Sequence, residues 1–166
     1  TNLNGQLKTE LLGVNSNNRI LNVNYNGASN SIDDYKMSHL KVDLKSNDFK
    51  KVQLDTLYAE FGSTTSGYTL GKPEKSFIIG QGQLDISDKS NSKYNLQLDY
   101  NAINLKQLLD SDKMPNYVSG SSKLQGRGIE INNITGEFDT KIRDIVFEDR
   151  AFFPFDFNLK IDKYSG

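Results

Sequence analysis

Large apolar residues alternate with polar residues along several stretches of the chain, most clearly in Phe153–Asp162. Successive side chains of an extended strand point to opposite faces, so a period of two predicts a strand with one apolar and one polar face. Leu40–Lys45 and Tyr94–Tyr100 show the same alternation. The pattern therefore predicts a protein built from one-sided strands, whose function lies in what the apolar side contacts.

Short polar clusters separate these stretches. Asn, Gly, Ser and Asp dominate the clusters, as turns between strands require. Many strands at short spacing predict an all-β fold, which we expect to be a curled antiparallel sheet, either a β-taco or an open β-groove. The predicted strands are Asn2–Leu12, Arg19–Asn26, His39–Lys45, Lys51–Phe61, Ser76–Ile86, Lys93–Asn101, Val118–Arg127, Glu130–Phe138, Ile142–Phe147 and Phe153–Lys163.

One short helix is predicted at Ile103–Leu109. Apolar residues recur there at a nearly helical spacing, and Asp110–Pro115 ends the segment. A helix of this kind can cap or plug an open sheet.

The composition favours a fold with little buried core. The chain of 166 residues fits one domain, and we expect residues 1–166 to form a single β-repeat domain. Only 36% of the residues are hydrophobic and the mean hydropathy is −0.60, whereas a compact domain is ~45–50% apolar when glycine is counted. The first residue, Thr1, already belongs to a strand-like pattern, so we expect a segment excised from a longer chain.

Charge and cysteine content exclude several kinds of partner and site. Acidic and basic residues are interspersed and the formal net charge is −1, so the chain has no basic stripe of the kind that binds nucleic acid. The absence of cysteine excludes disulfides, thiolate zinc sites and cysteine nucleophiles. We expect neither a cofactor nor a nucleic-acid partner.

No catalytic or metal-binding motif stands out. His39 is the single histidine and is expected on the solvated face of a strand. Asp85–Asp88 and Asp110–Asp112 do not continue into an EF-hand loop and are interpreted as turns. Gly80–Gly82 and Gly126–Gly128 lack the Gly-Lys-Ser/Thr of a phosphate loop and are interpreted as bulges or bends. We therefore predict that the protein is not an enzyme and binds no metal.

The apolar positions of three predicted strands are the candidate binding residues. In a sandwich or barrel they would form the packed core, which is the commoner role of such residues. On an uncovered sheet they would line a groove for acyl chains, whose burial contributes ~0.8 kcal/mol per CH₂. Both interpretations use the same set: Leu40, Val42, Leu44, Leu96, Leu98, Tyr100, Phe153, Phe155, Phe157, Leu159 and Ile161.

Two parts of the chain are similar to each other. Leu3–Gly13 matches Val118–Gly128 in its paired glycines, and downstream Leu40–Lys45 is similar to Phe157–Asp162. The similarity indicates either a repeated structural module or chance agreement between alternating strands.

These paired glycines, the short apolar helix before Val118 and the closing amphipathic strand at Phe153–Lys163 carry a resemblance to a known family. The chain resembles the translocation and assembly module family, TamB, and its AsmA-like relatives. Tyr94–Lys163 carries the resemblance best and Ser46–Lys75 carries it least.

The resemblance implies a location and a function. It implies a periplasmic, curled antiparallel sheet with an apolar interior, anchored in the inner membrane through a region outside this sequence. It also implies transport of phospholipids between the inner and outer membranes, assistance to outer-membrane protein assembly, or both. The implied partners are phospholipid acyl chains and a BamA-like outer-membrane barrel.

Two other functions are compatible with the residues. A structural or adhesin-like β-sandwich module would bind carbohydrate or protein through aromatic residues at loop ends. The candidates for that role are Tyr25, Tyr35, Tyr58, Tyr68 and Tyr117. Alternatively, a chaperone-like groove would add a guest strand to an exposed sheet edge through main-chain pairing.

Overall fold

The protein is all-β, and its described residues form ten strands in one antiparallel sheet and one short helix. The computed structural model describes residues 3–13, 20–32, 35–61, 75–88, 91–109, 111–128, 134–148 and 150–162. The elements are β1 (Gly5–Leu12), β2 (Ile20–Ile32), β3 (Tyr35–Asn47), β4 (Lys51–Phe61), β5 (Ser76–Asp85), β6 (Lys93–Ile103), α1 (Leu105–Leu108), β7 (Tyr117–Arg127), β8 (Thr135–Phe147), β9 (Arg150–Phe152) and β10 (Phe155–Ile161).

The strands follow one another across the sheet in chain order. The order is β1-β2-β3-β4-β5-β6-β7-β8-β10, and β9 also pairs with β8. Every pairing is antiparallel, and β1 and β10 stand at opposite edges without pairing with each other. The predicted all-β antiparallel sheet is confirmed. The described residues form neither a barrel nor a second sheet, so the core of a sandwich is not what the apolar residues build.

Several predicted boundaries were wrong. Two predicted strands, Glu130–Phe138 and Ile142–Phe147, form the single strand β8 from Thr135 onward, because the turn expected between them does not occur. The predicted closing strand begins at Phe155 of β10 and not at Phe153, and a short strand that was not predicted, β9, precedes it across Phe153-Pro154. Proline has no N–H to donate to a strand ladder, so an edge strand is interrupted there at little cost.

The predicted helix is shorter than expected. It spans four residues, Leu105–Leu108, because Ile103 remains in β6. Asn104 begins the helix, and its side-chain oxygen accepts a hydrogen bond of 2.8 Å from the backbone N–H of Gln107. Parts of other predictions lie outside the described residues, namely Asn2, Arg19, Tyr68, Asp110, Glu130 and Lys163.

The pairing register repeats itself along the chain. Gly5 pairs with Gly27 and Leu40 pairs with Gly27 from the other side; Gly120 pairs with Ile142 and Phe155 pairs with Ile142. Each member of the second set follows its counterpart by 115 residues. Strands β1, β2 and β3 therefore occupy the same relative positions as β7, β8 and the interrupted strand β9–β10.

The same offset extends to the hairpin end. Ile32 pairs with Tyr35, and Phe147 pairs with Arg150. The register also corrects one part of the predicted self-similarity, since Phe155, and not Phe157, is equivalent to Leu40.

The packed core is small. The cluster of buried residues consists of Ile103, Val118 and Ile142, on three neighbouring strands. Partly buried apolar residues surround it, including Leu105 of α1, so the helix covers one end of the apolar face as the sequence predicts. A sheet with so little core leaves most of its apolar face without a second layer.

Candidate functional site

The candidate site is the apolar face of the sheet. Residues that pair directly across antiparallel strands point to the same face, and the register therefore assigns faces. Val42 pairs with Leu57, which pairs with Gly80, which pairs with Leu98. The same row continues through Ser122 and Thr140 to Phe157. One continuous face thus carries ten of the predicted binding residues: Leu40, Val42, Leu44, Leu96, Leu98, Tyr100, Phe155, Phe157, Leu159 and Ile161.

Phe153 does not belong to this face. It lies in the interruption between β9 and β10, has no strand partner and is 93% exposed. Its inclusion among the groove residues was wrong, because Pro154 breaks the strand whose alternation would have placed it there.

Burial along the apolar face varies with position in the sheet. The most buried positions of its central strands carry the core residues Ile103, Val118 and Ile142 and smaller residues such as Thr140, at 4% exposure. The predicted binding residues on β3 and β6 are half-buried. Those of the two edge strands are exposed, including Leu7 and Leu11 on β1 and Phe157 and Leu159 on β10. The apolar face is therefore least covered at its two ends.

Tyrosine rings lie over glycines on this face. A Cβ atom at Gly126 would be 2.5 Å from the Tyr94 hydroxyl oxygen, and one at Gly120 would be 2.9 Å from that of Tyr100. Gly80 similarly makes room for Leu98, since its Cβ would lie 2.8 Å from a Leu98 methyl carbon. Gly126 lies in regular pairings with both neighbouring strands, so its interpretation as a bulge or bend was wrong. Gly80 and Gly82 pair with β4 on either side of a register shift, which agrees with a bulge at this position.

A short row of hydroxyl groups interrupts the apolar surface. The Tyr100 and Ser122 hydroxyls are 3.2 Å apart, and those of Ser122 and Thr140 are 3.0 Å apart. The row crosses β6, β7 and β8, so each buried hydroxyl has a hydrogen-bond partner. These hydrogen bonds help to fix the pairing register of β6, β7 and β8, because a shift of one strand along its neighbour would break them.

The opposite face is polar and carries charge pairs. Arg143 on β8 donates to both carboxylate oxygens of Asp99 on β6, at 3.1 and 3.2 Å, across the intervening strand. The hydrogen bonds that Arg143 donates to Asp99 raise the pKa of Arg143. The Asn158 side chain donates to Glu137 at 2.8 Å, and this bond lowers the pKa of Glu137. The first contact joins β6 and β8, which do not pair directly, and the second joins β8 to the edge strand β10.

A cleft of about 910 Å³ crosses the middle of the sheet from β4 to β10. On five strands, the residues directly before and after an apolar-face residue both line the cleft. On β6, for example, Gln97 and Asp99 line it on either side of Leu98. The next apolar-face side chains along the same strands, such as Leu96 and Leu124, do not line it. The cleft therefore opens on the polar face. Its charged lining residues are Asp55, Asp99, Lys123, Asp139, Lys141 and Asp156.

His39 lies on the polar face, as predicted, because it pairs with Glu60 while Leu40 pairs with Ala59. Its ring is 5.7 Å from that of Tyr58, whose ring is 6.4 Å from that of Phe77. Tyr58 also donates a 2.7 Å hydrogen bond to Glu60, which raises the pKa of Tyr58. Within the described residues, no group of three or more potential ligands could hold a metal ion.

The tyrosines proposed for recognition are not gathered at loop ends. Tyr25 lies within β2 and Tyr58 within β4. Tyr25 is on the apolar face, where it pairs with Val42, and Tyr58 is on the polar face. Of the four that belong to the described residues, Tyr35 and Tyr117 begin strands.

Several residues of the apolar face were missed by the sequence analysis. The alternation in Leu21–Tyr25 would have assigned three of them. On β4, Leu54 and Leu57 share the face although they are three residues apart, because a register shift at Asp55-Thr56 adds one residue between them. The bulge interrupts the alternation of apolar and polar residues, so the sequence pattern does not assign Leu54 and Leu57 to the same face. The missed residues include Leu7, Leu11, Leu21, Val23, Tyr25, Leu54, Leu57, Ile78, Tyr94, Leu124, Phe138 and Ile142.

No family model, curated protein or solved structure matches the chain. Among the described residues, no helix has both the length and the apolar character needed to span a membrane.

Proposed function

We propose that the protein is a lipid-carrying segment of a cell-envelope protein of the TamB and AsmA-like kind, and that its apolar sheet face binds phospholipid acyl chains. One observation carries this proposal. The apolar face continues across nine neighbouring strands and, among the described residues, only α1 covers part of it. A large apolar surface on a water-exposed sheet commonly marks a binding site.

The chemistry of the face suits acyl chains. Methylene groups need no directional partners, and each contributes ~0.8 kcal/mol when it leaves water. The row of hydroxyls at Tyr100, Ser122 and Thr140 is satisfied internally, so it does not oblige a ligand to supply hydrogen bonds. Binding of this kind requires no catalytic group.

Substitution of neighbouring residues on opposite faces tests the proposal. Leu98→Glu places a charge on the apolar face, and Gln97→Glu places the same charge on the exposed polar face of the same strand. Native mass spectrometry with lipid extraction should find phospholipid with the wild type and with Gln97→Glu. We expect at least a tenfold loss with Leu98→Glu.

Photocrosslinking keeps the test valid if Leu98→Glu unfolds the protein. A benzophenone side chain at position 98 should capture lipid in the cell envelope, and the same group at position 97 should not. Equal capture at the two positions, or capture at neither, contradicts lipid binding by this face.

The proposed location is the periplasm, with an anchor in the inner membrane outside this sequence and a BamA-like barrel as a partner at the outer membrane. Fractionation of cells that express the whole protein tests the location. Affinity purification of the same protein tests the barrel partner.

The cleft on the polar face favours a second candidate function, the binding of carbohydrate. Amide, carboxylate, hydroxyl and ammonium groups line it. Lys45 and Arg143, which are not among the lining residues, form ion pairs with the lining residues Asp55 and Asp99. The acidic and basic groups are therefore nearly balanced, which suits a neutral ligand with many hydroxyls. Titration with cello-, chito- and malto-hexaose, followed by NMR, tests this function. Gln97→Ala should abolish shifts that Gln53→Ala, outside the cleft, leaves in place.

A further inference from the structure

The two edges of the sheet correspond to different interior strands. Because the register repeats after 115 residues, β1 has the position of β7, and β10 has the position of β3. In the interior of the sheet, β7 has β6 as its other neighbour and β3 has β4. Within the described residues, no strand lies on the outer side of β1 or of β10.

Exposure of equivalent residues shows the effect of the neighbouring strand. Leu7 on β1 is 65% exposed, whereas its equivalent on β7, Ser122, is 9% exposed beside β6. Phe157 on β10 is 43% exposed, whereas its equivalent on β3, Val42, is half-buried beside β4. Each edge thus exposes an apolar side chain at a position that pairing with a further strand covers in its interior equivalent.

We propose that the β1 edge binds a strand of the β6 type and the β10 edge binds a strand of the β4 type, both antiparallel and supplied by another repeat of this kind. The β6–β7 and β3–β4 pairings already exist in the molecule, so the edges extend contacts of known register. Main-chain hydrogen bonds provide affinity in such strand addition, and alternate side chains provide specificity.

The repeat fixes the register of each added strand. Ser122 pairs with Leu98, so Leu7 pairs with the position of Leu98 in the added β6-type strand. Val42 pairs with Leu57, so Phe157 pairs with the position of Leu57 in the added β4-type strand. A slip of one residue would turn the apolar side chains of the added strand to the polar face.

Disulfide trapping measures both the choice of strand and its register. The chain has no cysteine, so Leu7→Cys and Phe157→Cys each introduce a single thiol. The first probe is a peptide of Lys93–Ile103 with cysteine at position 98, and the second is a peptide of Lys51–Phe61 with cysteine at position 57. Directly opposed residues have Cβ atoms close enough for a disulfide.

The β6 peptide should link to Leu7→Cys about tenfold faster than to Phe157→Cys, and the β4 peptide should show the reverse preference. Moving the cysteine of the β6 peptide from position 98 to position 97 should remove the fast reaction with Leu7→Cys. Equal rates for both peptides at both edges, or no effect of cysteine position, would overturn the proposal.

Hydrogen exchange on the unsubstituted protein provides a second readout. The β6 peptide should slow exchange in Gly5–Leu12 while Phe155–Ile161 remains unchanged, and a peptide with its apolar and polar positions exchanged should slow neither. Slowing of both edges by either peptide would indicate unspecific strand aggregation and contradict the assignment. The inference does not depend on lipid binding, since all probes are peptides.

Discussion

The ring of Tyr94 on β6 lies over Gly126 on β7, its direct partner across the strands. A Cβ atom at position 126 would lie 2.5 Å from the Tyr94 hydroxyl oxygen and 2.7 Å from the ring carbon that bears it. An aromatic ring laid over a strand glycine shields the backbone that the missing side chain would leave open. The pair therefore joins two strands on a face that has no second layer to cover it.

Gly126→Ala should destabilise the protein because the new methyl group overlaps the ring of Tyr94 and a backbone oxygen of the next strand. We expect a loss of about 1–3 kcal/mol in the free energy of unfolding, the usual cost of overpacking. Urea denaturation followed by circular dichroism measures it. Ser121→Ala, on the polar face of the same strand, is the control. Adding Tyr94→Ala should reduce the further cost of Gly126→Ala, and full additivity of the two changes would contradict the ring-over-glycine contact.

Thr140→Val should also destabilise the protein, although it adds an apolar group to an apolar face. The Thr140 hydroxyl is buried and forms a hydrogen bond with the Ser122 hydroxyl. The substitution removes the Thr140 hydroxyl and leaves the Ser122 hydroxyl without this hydrogen bond. The expected cost is about 1 kcal/mol, typical of a lost buried hydrogen bond. Unfolding in urea checks it. A more stable Thr140→Val variant would show that apolar packing outweighs the hydroxyl row.

Acid should weaken the contact between β8 and β10. Hydrogen bonds from Asn158 and Gln125 lower the pKa of Glu137 in the folded protein. A carboxylate whose folded pKa is lowered contributes stability above its unfolded value of about 4.3, and this contribution is lost as the pH falls through the folded pKa. The thermal midpoint of the wild type should therefore fall more between pH 6 and pH 3 than that of Glu137→Gln. Parallel curves would contradict the prediction.

Two phenylalanines four residues apart should respond differently to the same charge. Phe157 packs on Phe138, with ring centroids 5.8 Å apart, whereas Phe153 is almost fully exposed. Phe157→Glu should lower the free energy of unfolding by about 1–3 kcal/mol, and Phe153→Glu should change it by less than about 0.5 kcal/mol. Equal effects in urea denaturation would show that Phe153 packs against the sheet.

Part of this structure could be predicted because the information is local. Alternation of side chains follows from the geometry of an extended strand, so the stretches around Leu40–Lys45 and Tyr94–Tyr100 predicted both strands and their faces. The placement of His39 on the polar face followed from the same rule. The polar residues after Asp85 likewise marked the end of β5, whereas the polar residues at Asn26–Asn30, predicted to follow the end of a strand, continue β2 to Ile32.

Other parts depend on pairing between distant strands. The bulge on β4 shifts Leu54 and Leu57 onto one face, and only the two neighbouring strands show that it exists. The sequence around Gly126 does not distinguish a glycine at a bend from a glycine that makes room for the Tyr94 ring. The break at Pro154 removed Phe153 from the face that its alternation had predicted. The polar cleft also needed the structure, because its lining comes from six strands.

The sequence by itself determined that the strands are one-sided, because side-chain period is a property of each strand alone. It also indicated that two parts of the chain share a pattern. Only the tertiary structure decided that these parts share one pairing register, that the sheet remains open, and which apolar residues stand uncovered at its edges. Register and edges are relations between strands, since a strand is buried or exposed according to what pairs beside it.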